Sequence, residues 1–124
     1  MKGRNFLTLQ ECSREEVWEI LKTTQKLKGS STGKGKGVGK PLAGKSIAMI
    51  FQKPSTRTRV SFEVAVQQLG GHAIYLDWNQ LHLGRGETVA DTARVLDRYA
   101  DGIVARVFAQ RDLEELAQHA KAPV

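Results

Sequence analysis

The sequence predicts an α/β domain of three layers, with a central parallel sheet between helices. Three short apolar runs, at 46–51, 72–76 and 102–107, are each followed by a segment with helical spacing. Strands that run the same way need a crossover between them, and a helix is the usual one. A length of 124 residues allows one domain with one core.

The elements follow in order. Ser13-Arg14-Glu15-Glu16 is a capping box, with Ser13 as N-cap and Glu16 three residues on. It opens a helix to about Lys28 that can present Val17, Ile20, Leu21 and Leu27 on one face. Residues 29–39 are Gly, Ser and Lys with almost no apolar content, so they read as a loop. A strand over 46–51 is followed by helical spacing over 60–69, stopped by Gly70-Gly71. A second strand spans 72–76 and a loop 77–87. A helix over 88–99 places Val89, Ala93 and Leu96 on one side. A third strand spans 102–107, and a last helix over 111–120 carries Leu113, Leu116 and Ala117. Ala122-Pro123-Val124 reads as the entry to a fourth strand.

Composition narrows the function. No apolar run approaches the roughly 20 residues that span a bilayer. Met1-Lys2-Gly3-Arg4 leads into no long apolar segment, so neither a membrane partner nor a secretory leader is expected. Cys12 is the one cysteine, which excludes an internal disulfide and suits a reducing cytoplasm. The net charge is +6, and the excess is local: residues 20–62 hold ten Lys or Arg and no Asp or Glu. Aromatic residues are few and do not interleave with these cations, so a nucleic-acid partner is not expected. The cations read as a solvated face or as a field that steers an anionic substrate.

Ser55-Thr56-Arg57-Thr58-Arg59 carries the most chemistry. It lies between the first strand and the helical spacing that follows. Hydroxyls, guanidinium groups and the N–H groups of a helix N-terminus converge there, where the helix dipole favours an anion. An arginine can grip two phosphate oxygens at once. Local physics leaves a second reading open: a serine N-cap with two solvated arginines. Gly39-Lys40-Pro41-Leu42-Ala43-Gly44-Lys45-Ser46 fits a nucleotide-binding P-loop literally, but it precedes a strand where a P-loop follows one. His72, His82 and His119 lie far apart, so no metal is expected.

Phe51-Gln52-Lys53-Pro54-Ser55-Thr56-Arg57-Thr58-Arg59-Val60-Ser61-Phe62-Glu63 resembles the carbamoyl-phosphate signature of the aspartate and ornithine carbamoyltransferase family. His82-Leu83-Gly84-Arg85-Gly86-Glu87-Thr88, Asp91-Thr92-Ala93-Arg94-Val95-Leu96 and Ala100-Asp101-Gly102-Ile103-Val104-Ala105-Arg106-Val107-Phe108 follow it in the family's order and spacing. The wording of the second and third motifs, and Val-Phe after Arg106, resemble the ornithine branch. The resemblance runs over almost the whole chain.

The resemblance implies a carbamoyl-phosphate-binding domain over 1–124 in an enzyme that carbamoylates ornithine, giving citrulline and phosphate. It implies that Ser55, Thr56, Arg57 and Thr58 hold the phosphate. Arg57 and Arg106 stabilise charge as the phosphate leaves, and His82 reaches the ligand of a neighbouring subunit. It implies a structural pairing of Arg59 with Glu87, within the chain or across a subunit contact, no cofactor, a cytoplasmic setting and a homotrimer or higher oligomer. The family's His-Pro-x-Gln motif and acceptor-binding domain are not found in these residues, so the expectation is a truncated carbamoyl-phosphate half with little turnover alone. Two alternatives stay open: the aspartate branch or a related acceptor, and an anion-binding or assembly module without turnover.

Overall fold

The computed structural model describes residues 3–31, 39–81 and 87–124, with side chains described through Gly29 in the first of these segments. Most of the Gly/Lys loop and His82 with the four residues after it lie outside the described residues. A 3₁₀ turn at Leu9–Glu11, capped by Thr8, precedes helix α1 at Arg14–Ser31. Then come β1 at Ser46–Phe51, α2 at Thr56–Gln68, β2 at His72–Asp77, α3 at Val89–Leu96, β3 at Gly102–Arg106 and α4 at Gln110–His119.

The strands form one parallel sheet in the order β2-β1-β3. β1 is central, and Ala48, Met49, Ile50 and Phe51 are buried on both of its faces. On one face Ala48 and Ile50 join Ile103, Ala93, Ala100 and Leu116, so α3 and α4 cover that side. Side chains alternate along a strand, so Met49, Phe51 and Tyr75 point to the other face, where α2 packs against β2. The three layers expected from the alternation are present. Full burial of side chains such as Phe51 or Ile50 stabilises the fold by about 1.5–3 kcal/mol each.

The capping box is formed: the Ser13 N–H donates to Glu16 at 3.0 Å, and the Glu16 N–H donates to Ser13 Oγ at 3.2 Å. α1 nevertheless buries none of its described residues deeply, and Leu21, expected on its apolar face, is 48% exposed. The Gly70-Gly71 stop is a Schellman turn, with Gly70 N–H on the Gln67 carbonyl and Gly71 N–H on that of Val66. Gly70 has φ +88°, and a Cβ there would meet Lys40 Cβ at 2.6 Å, so geometry and space both require glycine.

α2 begins at Thr56, four residues before the apolar spacing starts at Val60. The first turn consists of Thr and Arg, whose polarity hides the helical period. Residues 121–124 form no strand, yet Pro123 accepts from the Ile103 N–H at 2.9 Å beside β3. The chain ends are stitched together, with Phe6 N–H on the Val124 carbonyl at 2.7 Å.

Candidate functional site

β1 leads into α2 on one face of the sheet, and its neighbour β3 leads into α4 on the other. Where adjacent parallel strands send their connections to opposite faces, a crevice opens at their carboxyl ends, and ligands of open α/β sheets bind there. Ser55 comes four residues after β1, and Arg106 is the last residue of β3.

Sequence placed these residues on separate elements; the fold brings them into contact. Arg106 Nη1 donates to Ser55 Oγ at 2.6 Å and to Thr58 Oγ1 at 2.7 Å. The two hydroxyls are joined at 2.9 Å, with Ser55 Oγ as donor. All three residues are half-buried. Among the described residues, the polar partners of this guanidinium are neutral hydroxyls, and no carboxylate offsets its charge.

Ser55 is the N-cap of α2 but makes no side-chain bond to the helix N–H groups. The first helical bond runs from the Arg59 N–H to the Ser55 carbonyl at 3.0 Å. The N–H groups of Thr56, Arg57 and Thr58 come before it and remain available at the positive end of the helix. Thr56 and Arg57 are exposed and line, with Val60, Ser61, Val64, Ala65 and Gln68, an open groove of about 520 Å³ along α2.

Bonds between the carboxyl ends of β1 and β3 hold this crevice in place. Gln52 N–H donates to the Arg106 carbonyl at 2.9 Å, and its side-chain oxygen accepts from the Phe108 N–H at 2.7 Å. Gln52 thus fixes the chain on both sides of Val107, a role that sequence gave no sign of. Arg59 does not pair with Glu87 within the chain. Arg59 Nε meets Glu63 at 2.9 Å, and its guanidinium carbon lies 3.6 Å from the Tyr75 ring centroid. One helical turn separates Arg59 from Glu63, so the nearer carboxylate is available without any loop rearrangement. Glu63 holds the Arg59 guanidinium above its ordinary pKa. Glu87 instead accepts from the buried Thr92 hydroxyl at 3.1 Å.

The P-loop look-alike has the inverted geometry its context implied. Residues 41–44 are turns, and β1 follows them. Lys45 Nζ is bound to Asp101 at 2.7 Å, and the other oxygen of Asp101 accepts from the Ser46 N–H at 2.9 Å. Among the described residues no cluster of His, Cys, Asp or Glu could hold a metal ion, and no helix is long and apolar enough to cross a membrane.

Residues 4–124 match the family described as "Aspartate/ornithine carbamoyltransferase, carbamoyl-P binding domain". An ornithine carbamoyltransferase of Pyrococcus horikoshii is 57% identical over 127 residues, covering 100% of this chain and 38% of that protein. The solved ornithine carbamoyltransferase of Pyrococcus furiosus superposes with a TM-score of 0.89 at 55% identity, over 98% of this chain and 38% of its own. The anabolic ornithine carbamoyltransferase of Campylobacter jejuni gives 0.86 at 43% identity, again over 98% of this chain and 38% of its own. The chain thus spans less than half the length of these relatives.

Proposed function

The chain belongs to the aspartate/ornithine carbamoyltransferase family, and on that premise we propose that it binds carbamoyl phosphate at the head of α2 for transfer to ornithine. The observation that carries this is Arg106, a half-buried guanidinium held only by the hydroxyls of Ser55 and Thr58 among the described residues, at the switch point of the sheet. A cation with neutral partners in a crevice favours an anion. The N–H groups of Thr56, Arg57 and Thr58 add donors of the same sense.

In this proposal the phosphate rests on those N–H groups and on the hydroxyls of Ser55, Thr56 and Thr58, with Arg57 gripping two oxygens. Arg106 turns its donors from the hydroxyls to the ligand. The δ-amine of ornithine attacks the carbonyl carbon. A C–N bond forms, the C–O bond to phosphate breaks with its electron pair on the leaving phosphate, and the amine proton passes to that phosphate or to water. Arg57 and Arg106 stabilise the negative charge that develops, and removing one such donor typically lowers kcat by about 10²–10³. Positioning contributes the rest, since no covalent enzyme intermediate is required.

The ornithine branch is favoured over the aspartate branch by relatives of that name at 50–57% identity along the chain. Assembly as a trimer, with His82 reaching a neighbouring site, belongs to the same proposal. It is supported by exposed Val60 and Val64 in the groove that Arg57 enters. So does a cytoplasmic place in arginine biosynthesis, which the single cysteine suits. The experiment is an exchange: this chain replaces the matching 38% of the Pyrococcus furiosus enzyme. The chimera should form citrulline and lose that activity with Arg106→Ala. A folded chimera that binds ornithine but forms no citrulline would refute the proposal.

A further inference from the structure

Two guanidinium groups of the signature have different surroundings. Arg57 is exposed beside the open groove, whereas Arg59 is engaged with Glu63 and with the Tyr75 ring. The Arg59 Nε is committed to Glu63, and its guanidinium carbon lies over the Tyr75 ring. Its backbone nevertheless adjoins the crevice. The Arg59 N–H closes the first helical turn on the Ser55 carbonyl, and the preceding residue is Thr58, which Arg106 binds. The Tyr75 ring under Arg59 lies 5.5 Å from the ring of Phe51, which is 1% exposed at the end of β1. A chain of ring contacts therefore runs from the buried sheet to the first turn of α2, with Phe51 and Tyr75 tilted at 48° and Arg59 over the Tyr75 face.

We infer that Arg59 is a positioning residue: stacked on Tyr75, it holds the first turn of α2 so that the hydroxyls of Ser55 and Thr58 meet Arg106. This rests on the proposed carbamoyl-phosphate site. The planar guanidinium can stack on the ring and keep its ion pair at once, whereas the compact ammonium of lysine loses the planar contact. Without the stack, the turn is held against β3 by the very hydroxyls that the ligand must engage. Ligand binding then has to order the turn as well as fill it, which weakens affinity.

The test uses the full chain, with Arg59→Lys, Tyr75→Leu, Tyr75→Phe and the Arg59→Lys/Tyr75→Leu double variant. Calorimetric titration with carbamoyl phosphate, and separately with inorganic phosphate, gives the affinities. The NMR signals of the Ser55 and Thr58 amides and of the Arg106 side chain are followed without ligand. Arg59→Lys should fold, weaken carbamoyl phosphate about tenfold and shift or broaden the three signals. Tyr75→Leu should do the same, and the double variant should be little worse than either single change. Tyr75→Phe, which keeps the ring, should keep most of the affinity. Wild-type affinity and unchanged Arg106 signals in Arg59→Lys would overturn the inference, as would losses that simply add in the double variant. If Tyr75→Leu does not fold, Arg59→Lys alone decides. Failure of the unaltered chain to bind either ligand would defeat the proposed site instead, and the ligand-free signals would still decide the role of Arg59.

Discussion

Arg106 Nη1 lies 2.7 Å from Thr58 Oγ1, and this bond ties the last residue of β3 to the first turn of α2. It spans the crevice where the sheet's connections part to opposite faces. The same nitrogen reaches Ser55 Oγ, so one guanidinium gathers both hydroxyls of the helix head.

Arg106→Ala should leave the fold intact, since its partners are half-buried and can be reached by water. Hydrogen bonds to charged groups contribute about 1.5–3 kcal/mol each. Carbamoyl-phosphate affinity should therefore fall by at least about tenfold. Thermal unfolding and calorimetry on the same sample separate the two effects. Retained affinity in a folded variant would remove Arg106 from the site.

Arg57→Ala should abolish detectable binding of carbamoyl phosphate, and Arg57→Lys should also bind poorly. A point charge cannot reproduce a planar fork. Arg57 is exposed beside the α2 groove, so either change should alter stability little, by about 0.5 kcal/mol or less. Normal binding by the lysine variant would show that charge alone suffices there.

ATP and GTP at millimolar concentration should not raise the melting temperature, whereas carbamoyl phosphate should, by mass action. Lys45 is occupied by Asp101, and the turn around it leads into a strand. A magnesium-dependent shift with ATP that Lys45→Ala removes would restore the P-loop reading.

Asp101 predicts an acid limb of stability. Its carboxylate accepts from Lys45 and from the Ser46 N–H, and both hold its pKa below the ordinary value. The unfolded chain therefore takes up this proton at higher pH than the folded chain does. The stabilisation is complete above the usual Asp range near about pH 4 and is lost as pH falls through the lower folded value. Asp101→Asn should lower the melting temperature at pH 7 and flatten its decline in acid. An equal decline in both proteins would show that the pair contributes nothing, as many exposed pairs do.

Light scattering after size exclusion should show the proposed trimer, and exposed Val60 and Val64 beside Arg57 offer an apolar surface for such a contact. Val64→Glu should dissociate it without unfolding the chain. A strict monomer at all concentrations would count against that assembly.

The central strand was legible because burial makes it apolar: Ala48 to Phe51 are all at or near zero exposure. The capping box and the Gly70 stop were legible because they are local. The first turn of α2 has no apolar period to read, and only Ser55 as a candidate N-cap marked its start. The contact of Arg59 with Tyr75 was not legible, because Tyr75 lies on another element and stacking leaves no sequence spacing. The Lys45–Asp101 pair and the Gln52–Phe108 bond each join residues 56 apart, which only the sheet register brings together. Ser55, Thr58 and Arg106 were nameable in advance from motif and strand-end position; their direct contact was not. His82 lies outside the described residues.

NMR titration of the uniformly labelled chain with carbamoyl phosphate tests the proposed site most directly. Saturable shifts should concentrate on the amides of Thr56, Arg57 and Thr58 and on the Arg106 side chain, with inorganic phosphate competing for them. Shifts centred instead on residues 39–46, or no saturable shift at millimolar ligand, would contradict carbamoyl-phosphate binding at the head of α2.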